Sequence, residues 1–200
     1  MSKKSELEKL QSQYEACKLC PLLVQNRTNV VFGVGNPDEC KVVIIGEAPG
    51  FHEDQKKEPF VGKSGKLLNE FLESIGLSRK EVYITNTILC RPPDNRNPSA
   101  EELKNCRPRL EKHIQILDPK VIITLGNFST QYILDTKVGI TKLRGKPVER
   151  LGRTVIPMQH PAVLLYYGNS PAKRKEFEED FALVKQALDK PIPEKQKTLL

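Results

Sequence analysis

The sequence predicts an α/β fold in which helices cover both faces of a parallel sheet. Four short apolar runs are rich in β-branched residues, and segments with helical spacing separate them. Buried strands that alternate with helices in this way are typical of parallel sheets. In such sheets ligands bind at the carboxyl ends of the strands, so the residues after each run are the first place to look for a site.

The elements follow in order along the chain. The four predicted strands are Val42–Ile45, Val82–Leu89, Val121–Leu125 and Val155–Met158. The predicted helices are an N-terminal one within the first twenty residues, then Lys63–Ile75, Ser99–Leu117, Asn127–Leu134 and Ser170–Leu188. Ser99 and Glu102 have the spacing of a capping box, and Gly76 is a helix stop. We expect residues 1–190 to form a single domain and residues 191–200 to be a C-terminal tail.

Composition narrows the class of protein. The chain has 200 residues, a net charge of +7 and no apolar run of eighteen residues, so we expect no membrane span. The N-terminus lacks the apolar core of a secretory signal, and we therefore expect a cytoplasmic protein. The basic excess fits an anionic partner such as nucleic acid. General solubility explains the same charge equally well.

Five cysteines form the most distinctive pattern. Cys17 and Cys20 make a C-x-x-C pair, while Cys90 and Cys106 form a second, wider pair with fifteen residues between them. Four thiolates can hold zinc or a 4Fe–4S cluster, and the wide second pair favours iron–sulfur. The competing interpretation is that these are ordinary buried residues. Cys40 has no partner nearby in the sequence and reads as a free structural cysteine.

Several polar or aromatic residues follow the predicted strands. Gly46, Pro49 and Gly50 form a tight turn, with the carboxylates of Glu47 and Glu53 beside it. The other candidates are Phe60, Asn86 within an apolar run, and His160 at the exit of the fourth strand. Taken alone, each of these residues has a more ordinary explanation: a solvated charge for the carboxylates, a core position for Phe60, an amide with satisfied hydrogen bonds for Asn86, and a structural role for His160. Together they fall where an α/β site should form. Of the other histidines, we expect His113 on an exposed helix face.

The segments "GEAPG", "PFVGKSG", "YITNTILCRPPDNR" and "HPA", in this order with four cysteines, resemble the family 4 uracil-DNA glycosylases of bacteria and archaea. The resemblance covers Cys17 to Leu188. It implies a three-layer α/β/α fold around a four-stranded parallel sheet, a 4Fe–4S cluster, and a monofunctional enzyme that flips and excises uracil from single- or double-stranded DNA. It also implies a prokaryotic source and no membrane partner, and we expect a monomer.

Site residues follow from the same resemblance. It implies that Cys17, Cys20, Cys90 and Cys106 are the cluster ligands. It implies that the backbone of Glu47, Ala48 and Pro49 cradles uracil, Phe60 stacks on the flipped base, Asn86 reads its edge, and His160 faces O2 as a catalytic residue. Glu53 would crowd C5. Ala48 occupies the place of the water-activating aspartate of other glycosylases, so Glu47 is our candidate for that role.

The sequence also offers candidates for contacts with DNA. Leu164 and Leu165 are candidates to fill the vacated base stack, as apolar wedges do elsewhere. Arg91 and Arg144 are candidates to bind phosphates. The tail "QKTLL" resembles the start of a sliding-clamp-binding peptide. The alternative function is a non-catalytic nucleic-acid-binding module stapled by a four-cysteine metal site, and a nucleotide-binding enzyme is disfavoured because no phosphate-binding glycine fingerprint is present.

Overall fold

The computed structural model describes residues 2–190, which form a sheet with helices on both faces. The strands are β1 (Val34–Gly35), β2 (Val42–Gly46), β3 (Val82–Asn86), β4 (Val121–Leu125), β5 (Val148–Arg150) and β6 (Arg153–Met158). The helices are α1 (Lys3–Glu15), α2 (Pro21–Asn26), α3 (Phe51–Lys56), α4 (Lys63–Ser74), α5 (Ala100–Leu117), α6 (Asn127–Leu134), α7 (Ile140–Leu143), α8 (Ala162–Tyr166) and α9 (Pro171–Asp189). The predicted tail and its clamp-binding motif lie outside the described residues.

The sheet has six strands in the order β1-β3-β2-β4-β6-β5. The four inner strands run parallel, with Ile44 of β2 opposite Ile84 on one side and Ile123 on the other. These are the four strands that the apolar runs predict. The two outer strands pair antiparallel and were not predicted. They contain two and three residues, which is too short for an apolar run to mark them.

Alternate residues of each inner strand face opposite helical layers. Val43 and Ile45 pack in a cluster with α1, α5 and α6, whereas Val42 and Ile44 pack with α4, α8 and α9. All four side chains are fully buried. Because successive side chains of a strand point to opposite faces, helices must cover both sides of such a strand. The predicted α/β class with three layers is confirmed.

The helix boundaries follow the predicted caps. The Ser99 hydroxyl accepts a hydrogen bond from the Glu102 N–H at 3.2 Å, and the Glu102 carboxylate accepts one from the Ser99 N–H at 2.7 Å, which completes a capping box before α5. Gly76, with φ of +76°, follows the end of α4. No helix between residues 2 and 190 is both long and apolar enough to cross a membrane.

Candidate active site at the carboxyl edge of the sheet

A cavity of about 450 Å³ opens where β2 and β3 end. Five residues predicted from the sequence line it, namely Ala48, Glu53, Phe60, Asn86 and His160. They come from four separate stretches of chain that only the sheet topology brings together. The remaining lining residues are Gly50, Phe51, His52, Gly62, Lys63, Ser64, Gly65, Asn95 and Ala162.

Space in the cavity depends on Gly46, the last residue of β2. A Cβ atom at this position would lie 2.3 Å from the Asn86 Oδ1 atom and 2.9 Å from the Phe60 ring. No side chain fits there without moving one of these two groups. The absence of a side chain at Gly46 therefore lets the amide and the ring approach each other at the floor of the cavity.

Asn86 ends β3 with its side chain almost fully buried, at 2% exposure. Its Nδ2 atom has no hydrogen-bond partner among the described residues. A buried amide N–H₂ group is rarely left unpaired, because the lost hydration is not replaced. Since Asn86 also lines the cavity, the free donor is available to a ligand there.

Phe60 is held by Glu53 in an uncommon backbone conformation, with φ of +56°. The Glu53 carboxylate accepts hydrogen bonds from the Phe60 N–H and, at 2.6 Å, from the Gly50 N–H. The Phe60 carbonyl group is also closely packed against Gly65, because a Cβ atom at Gly65 would lie 1.7 Å from the Phe60 carbonyl oxygen. The Phe60 ring stacks on His160, with ring centres 5.5 Å apart. Glu53 thus holds in place the loop that carries the Phe60 ring.

His160 presents a defined tautomer to the cavity. Its Nδ1 atom accepts a hydrogen bond from the Ala162 N–H at 3.1 Å, so the ring proton is on Nε2. Burial lowers the pKa of His160 to about 4. At neutral pH the side chain is therefore an uncharged imidazole with one N–H to donate.

Glu47 and Pro49 do not line the cavity, although Ala48 between them does. The Glu47 carbonyl oxygen accepts hydrogen bonds from the Thr87 hydroxyl at 2.5 Å and the Ile88 N–H at 3.3 Å, which ties this turn to the chain after β3. The Glu47 side chain is half-buried, and burial raises its pKa. A carboxylate with a raised pKa is a stronger base than an ordinary glutamate.

The four predicted metal ligands come from three regions. Cys17 and Cys20 lie between α1 and α2, Cys90 follows β3, and Cys106 lies in α5. Burial raises the pKa of the Cys20 thiol and that of the Cys90 thiol, the latter to about 11, and Cys106 and Cys17 contribute further to both. Cys40 is buried apart from them beside Val42.

Two polar side chains connect the cysteine regions. Arg27 donates hydrogen bonds to the Cys90 sulfur at 2.9 Å and to the Cys17 carbonyl oxygen at 2.8 Å. Asn105 approaches the Cys20 sulfur at 3.5 Å and donates to the Leu19 carbonyl oxygen at 3.3 Å. Within residues 2–190, no three ligating side chains stand close enough together to hold a metal ion as placed. The donor set itself, four thiols with N–H groups aimed at two sulfurs, fits an iron–sulfur cluster.

The predicted DNA contacts need two corrections. Leu164 is fully buried in the core with α4 and α9, so it cannot act as a wedge, whereas Leu165 is 39% exposed. Arg144 pairs with Asp180 at 3.0 Å and donates to the Glu176 carbonyl oxygen at 2.7 Å, so its guanidinium fastens the α7 region to α9 and is not the free cation that the sequence suggested. Arg91 lies beside the cavity: its guanidinium is 5.1 Å from the centre of the Phe51 ring and its Nε atom donates to Asn95 Oδ1 at 2.8 Å, and both of these partners line the cavity. Its contact with phosphate stays a prediction.

His113 was predicted to be exposed, and that prediction is wrong. The side chain is fully buried between the rings of Phe32 and Tyr83, and its Nδ1 atom lies 3.2 Å from Arg109. Sequence reasoning missed Arg109 altogether, although a signal existed. Arg109 and His113 share the helical spacing of the apolar residues Leu110, Ile114 and Leu117, and that spacing marks the buried side of α5.

Comparison with known proteins gives consistent matches. The model of the uracil DNA glycosylase superfamily matches residues 32–182. A type-4 uracil-DNA glycosylase from Sulfurisphaera tokodaii is 44% identical over 190 residues, covering 90% of this chain and 84% of that protein. One from Archaeoglobus fulgidus is 42% identical over 195 residues, covering 94% and 96%. One from Thermotoga maritima is 44% identical over 170 residues, covering 84% and 88%.

Proposed function

The chain belongs to the uracil DNA glycosylase superfamily and acts on uracil in DNA, and we propose that it hydrolyses the N-glycosidic bond of a flipped deoxyuridine. The product is an abasic site for base excision repair. The observation that carries this proposal is the unpartnered Asn86 Nδ2 atom in a cavity floored by Phe60 and His160. A non-catalytic module stapled by a metal site gives no reason for such a cavity.

The target nucleotide must leave the duplex before the site can reach it. Extrusion costs a few kcal/mol. Stacking on the Phe60 ring returns about 1–3 kcal/mol of that cost. Because Glu53 and Gly65 fix the Phe60 loop, little conformational freedom is lost when the base arrives. Glu53 also lines the cavity, where we propose that it crowds uracil C5.

Asn86 is proposed to read the base edge. Its free Nδ2 donor suits uracil O4, and its Oδ1 atom can accept from uracil N3–H. Cytosine offers the opposite pattern at both positions. A cytosine in the cavity would therefore leave buried polar groups unpaired, and sites of this type can discriminate by about 10⁴-fold.

His160 is proposed to stabilise the charge that develops as the glycosidic bond breaks. Bond cleavage leaves electrons on the departing uracil, largely at O2, and a preorganised N–H donor lowers the energy of that state. The neutral His160 ring with its proton on Nε2 provides such a donor. Ala48 lines the same cavity, and we propose that its backbone also faces the base. For the attacking water we propose Glu47 as the base. Glu47 itself does not line the cavity, but it adjoins Ala48, which does, and burial raises the pKa of its carboxyl group.

One assay tests the function directly. The protein is incubated with oligonucleotides that carry one uracil, single- or double-stranded, and the products are treated with alkali. Strand cleavage at the uracil position is expected, whereas the same oligonucleotides with cytosine or thymine should stay intact. Absence of alkali-labile sites from both uracil substrates would refute the proposed reaction.

We propose that Cys17, Cys20, Cys90 and Cys106 hold a 4Fe–4S cluster, with zinc the less favoured metal. When bound, such a cluster would cross-link the N-terminal helices to β3 and α5 and take no part in hydrolysis. Arg27 and Asn105, which already point N–H groups at two of the sulfurs, would support the thiolates.

Cys90→Ser is expected to remove iron from the purified protein. Anaerobically prepared wild-type protein should contain about four irons per chain, with absorption in the visible range. Cys40→Ser is the matched control, because Cys40 is also buried but lies apart from the other four. Iron content should fall in the first variant and stay unchanged in the second. Stoichiometric zinc in the wild type would contradict the cluster assignment.

Leu165→Ala is expected to slow excision from double-stranded DNA by about tenfold while changing the single-stranded rate less. Leu165 and Tyr166 are 39% and 85% exposed on α8, directly after His160, so they are placed to fill the gap that a flipped base leaves in a duplex. A single strand has no such gap. Leu164→Ala is the control: it should lower the melting temperature without separating the two rates. Equal losses on both substrates for Leu165→Ala would exclude a wedge.

The remaining proposals concern context. The basic chain, with Arg91 stacked on Phe51 at the cavity mouth, suits a polyanionic substrate. We propose that the protein acts as a monomer in the cytoplasm of a prokaryote. Binding to a sliding clamp through "QKTLL" also stays a proposal.

A further inference from the structure

A fully buried arginine lies between the two functional regions of the protein. Arg109, in the middle of α5, has no solvent exposure and is the largest of the fully buried side chains. It lies three residues after Cys106, about one helical turn away on the same side of α5. Burial of a guanidinium is costly, so a chain keeps one inside only where several partners meet it.

The guanidinium donates hydrogen bonds to the segment that carries Asn86. Its Nη2 atom donates to the carbonyl oxygens of Asn86 and Thr87, each at 2.8 Å. Its Nη1 atom donates to the Thr85 hydroxyl at 3.3 Å and approaches His113 Nδ1 at 3.2 Å. Two consecutive carbonyl groups held by one planar group fix the peptide plane between them. That plane sets the direction in which the Asn86 side chain enters the cavity.

All of these partners are uncharged. Burial, and then the charge of Arg109 itself, lower the pKa of His113 well below its usual value, so this ring is neutral. None of the ion pairs between residues 2 and 190 includes Arg109. An unopposed buried cation is unfavourable, which raises the question of where the balancing negative charge lies.

Cys106 offers a source of that charge, because it precedes Arg109 by three residues on α5. Both Cys106 and Arg109 are buried, and they lie about one turn apart on the same side of α5. A cysteine that ligates a metal is a thiolate, and four thiolates around an iron–sulfur cluster leave a net negative charge. With the cluster in place, Arg109 would face negative charge on the Cys106 side and carbonyl oxygens on the Asn86 side.

We propose that Arg109 is a positioning residue that joins the cysteine site to the uracil reader. Its positive charge offsets the negative charge of the thiolates on the Cys106 side. Its hydrogen bonds hold the Asn86 and Thr87 carbonyl groups in place. This inference rests on the proposed function, because it assigns Asn86 to uracil. Arg109 would thereby link the occupancy of the cysteine site to base recognition, although the four cysteines do not line the cavity.

Two substitutions distinguish the effect of the positive charge of Arg109 from the effect of its hydrogen bonds to the two carbonyl groups. Arg109→Lys keeps a positive charge but cannot bridge two carbonyl groups with a planar group, whereas Arg109→Met keeps much of the volume and loses both functions. Leu117→Ala is the matched control, since Leu117 is fully buried on the same helix and in the same core, two turns away from Arg109. Melting temperatures should fall in all three variants.

Three readouts are taken on each anaerobically purified protein. The first is the affinity for DNA with a non-cleavable 2′-fluorinated deoxyuridine, divided by the affinity for DNA with an abasic-site analogue, which isolates the contacts to the base. The second is the rate at which an iron chelator removes iron. The third is the single-turnover rate of uracil excision.

Arg109→Lys should lower the base-dependent affinity ratio by about tenfold or more and release iron at the wild-type rate. Arg109→Met should lower the ratio at least as much and also release iron faster. Leu117→Ala should change neither. The proposal is overturned if Arg109→Lys keeps the wild-type ratio, or if Leu117→Ala loses as much as the arginine variants. If wild-type protein excises no uracil, the proposed function fails instead, and the iron-release arm still tests the link between Arg109 and the cysteines.

Discussion

Asn86→Asp is expected to lower the single-turnover rate on uracil by about 10²-fold or more and to weaken discrimination against cytosine. The substitution replaces the unpartnered Nδ2 donor by an oxygen in a nearly closed site. Uracil O4 would then face a carboxylate, and two acceptors repel each other. A carboxyl group can accept from cytosine N4–H₂, so the preference for uracil should fall from both directions. The measurement is single-turnover excision from matched uracil and cytosine oligonucleotides.

The control for this experiment is Asn69→Asp. Asn69 lies in α4, away from the cavity, where its Oδ1 atom accepts a hydrogen bond from Arg79 at 2.8 Å. The change adds the same negative charge and should leave both rates within about twofold of the wild type, as surface substitutions usually do. If Asn86→Asp left the uracil-to-cytosine ratio unaltered, Asn86 would not be the reader.

His160→Ala is expected to lower the single-turnover rate by about 10²- to 10³-fold, the usual effect of removing one donor to a developing anion. Affinity for DNA with an abasic-site analogue should change by no more than about twofold, because the Nε2 proton is aimed at the base and not at the phosphates. Equal losses of rate and affinity would identify a structural histidine. Stacking of the His160 ring on Phe60 makes this comparison necessary, since the substitution also removes a ring contact.

The pH dependence of the excision rate and of stability tests the protonation state of His160. With its pKa lowered by burial to about 4, His160 stays neutral from pH 8 down to about pH 5, and its contribution to the rate should be constant there. In the unfolded chain the pKa is close to 6.5. As pH falls from 6.5 towards 4 the unfolded state binds a proton that the folded state does not, so stability decreases over that window. His160→Ala should lack this share of the acid sensitivity, which urea unfolding at pH 5 and pH 7 can measure. A rate that falls with an apparent pKa of 6.5 would contradict a neutral donor.

The sequence predicted the inner sheet and the cavity more successfully than the contacts that hold them. The four parallel strands were visible because each is an unbroken apolar run. Glu53, Phe60, Asn86 and His160 could be brought together without coordinates because parallel strands end at one edge, whereas Ala48 was named only through the family resemblance. The two outer strands escaped prediction because the local sequence of a two- or three-residue strand carries no periodicity.

The errors concern side chains whose role depends on a distant segment. Leu164 and Leu165 are identical in type, and only the rotation of α8 decides which of them is buried. Arg144 looked like any exposed cation until Asp180, thirty-six residues later, came beside it. The two hydrogen bonds of Glu53 to Gly50 and Phe60 likewise require the folded loop. His113 is different, because the helical spacing of α5 already marked its position as buried.

The two outer strands of the sheet have a consequence for self-association. A long, flat, uncovered edge would offer its free N–H and C=O groups to a second molecule, and such edges promote aggregation. Here one edge strand is Val34–Gly35 and the other is Val148–Arg150, whose three residues are all exposed and include Glu149 and Arg150. Neither is long enough to template a ladder, and the charged pair on β5 discourages a neutral partner strand. The sheet is therefore poorly suited to extension by strand pairing at either edge.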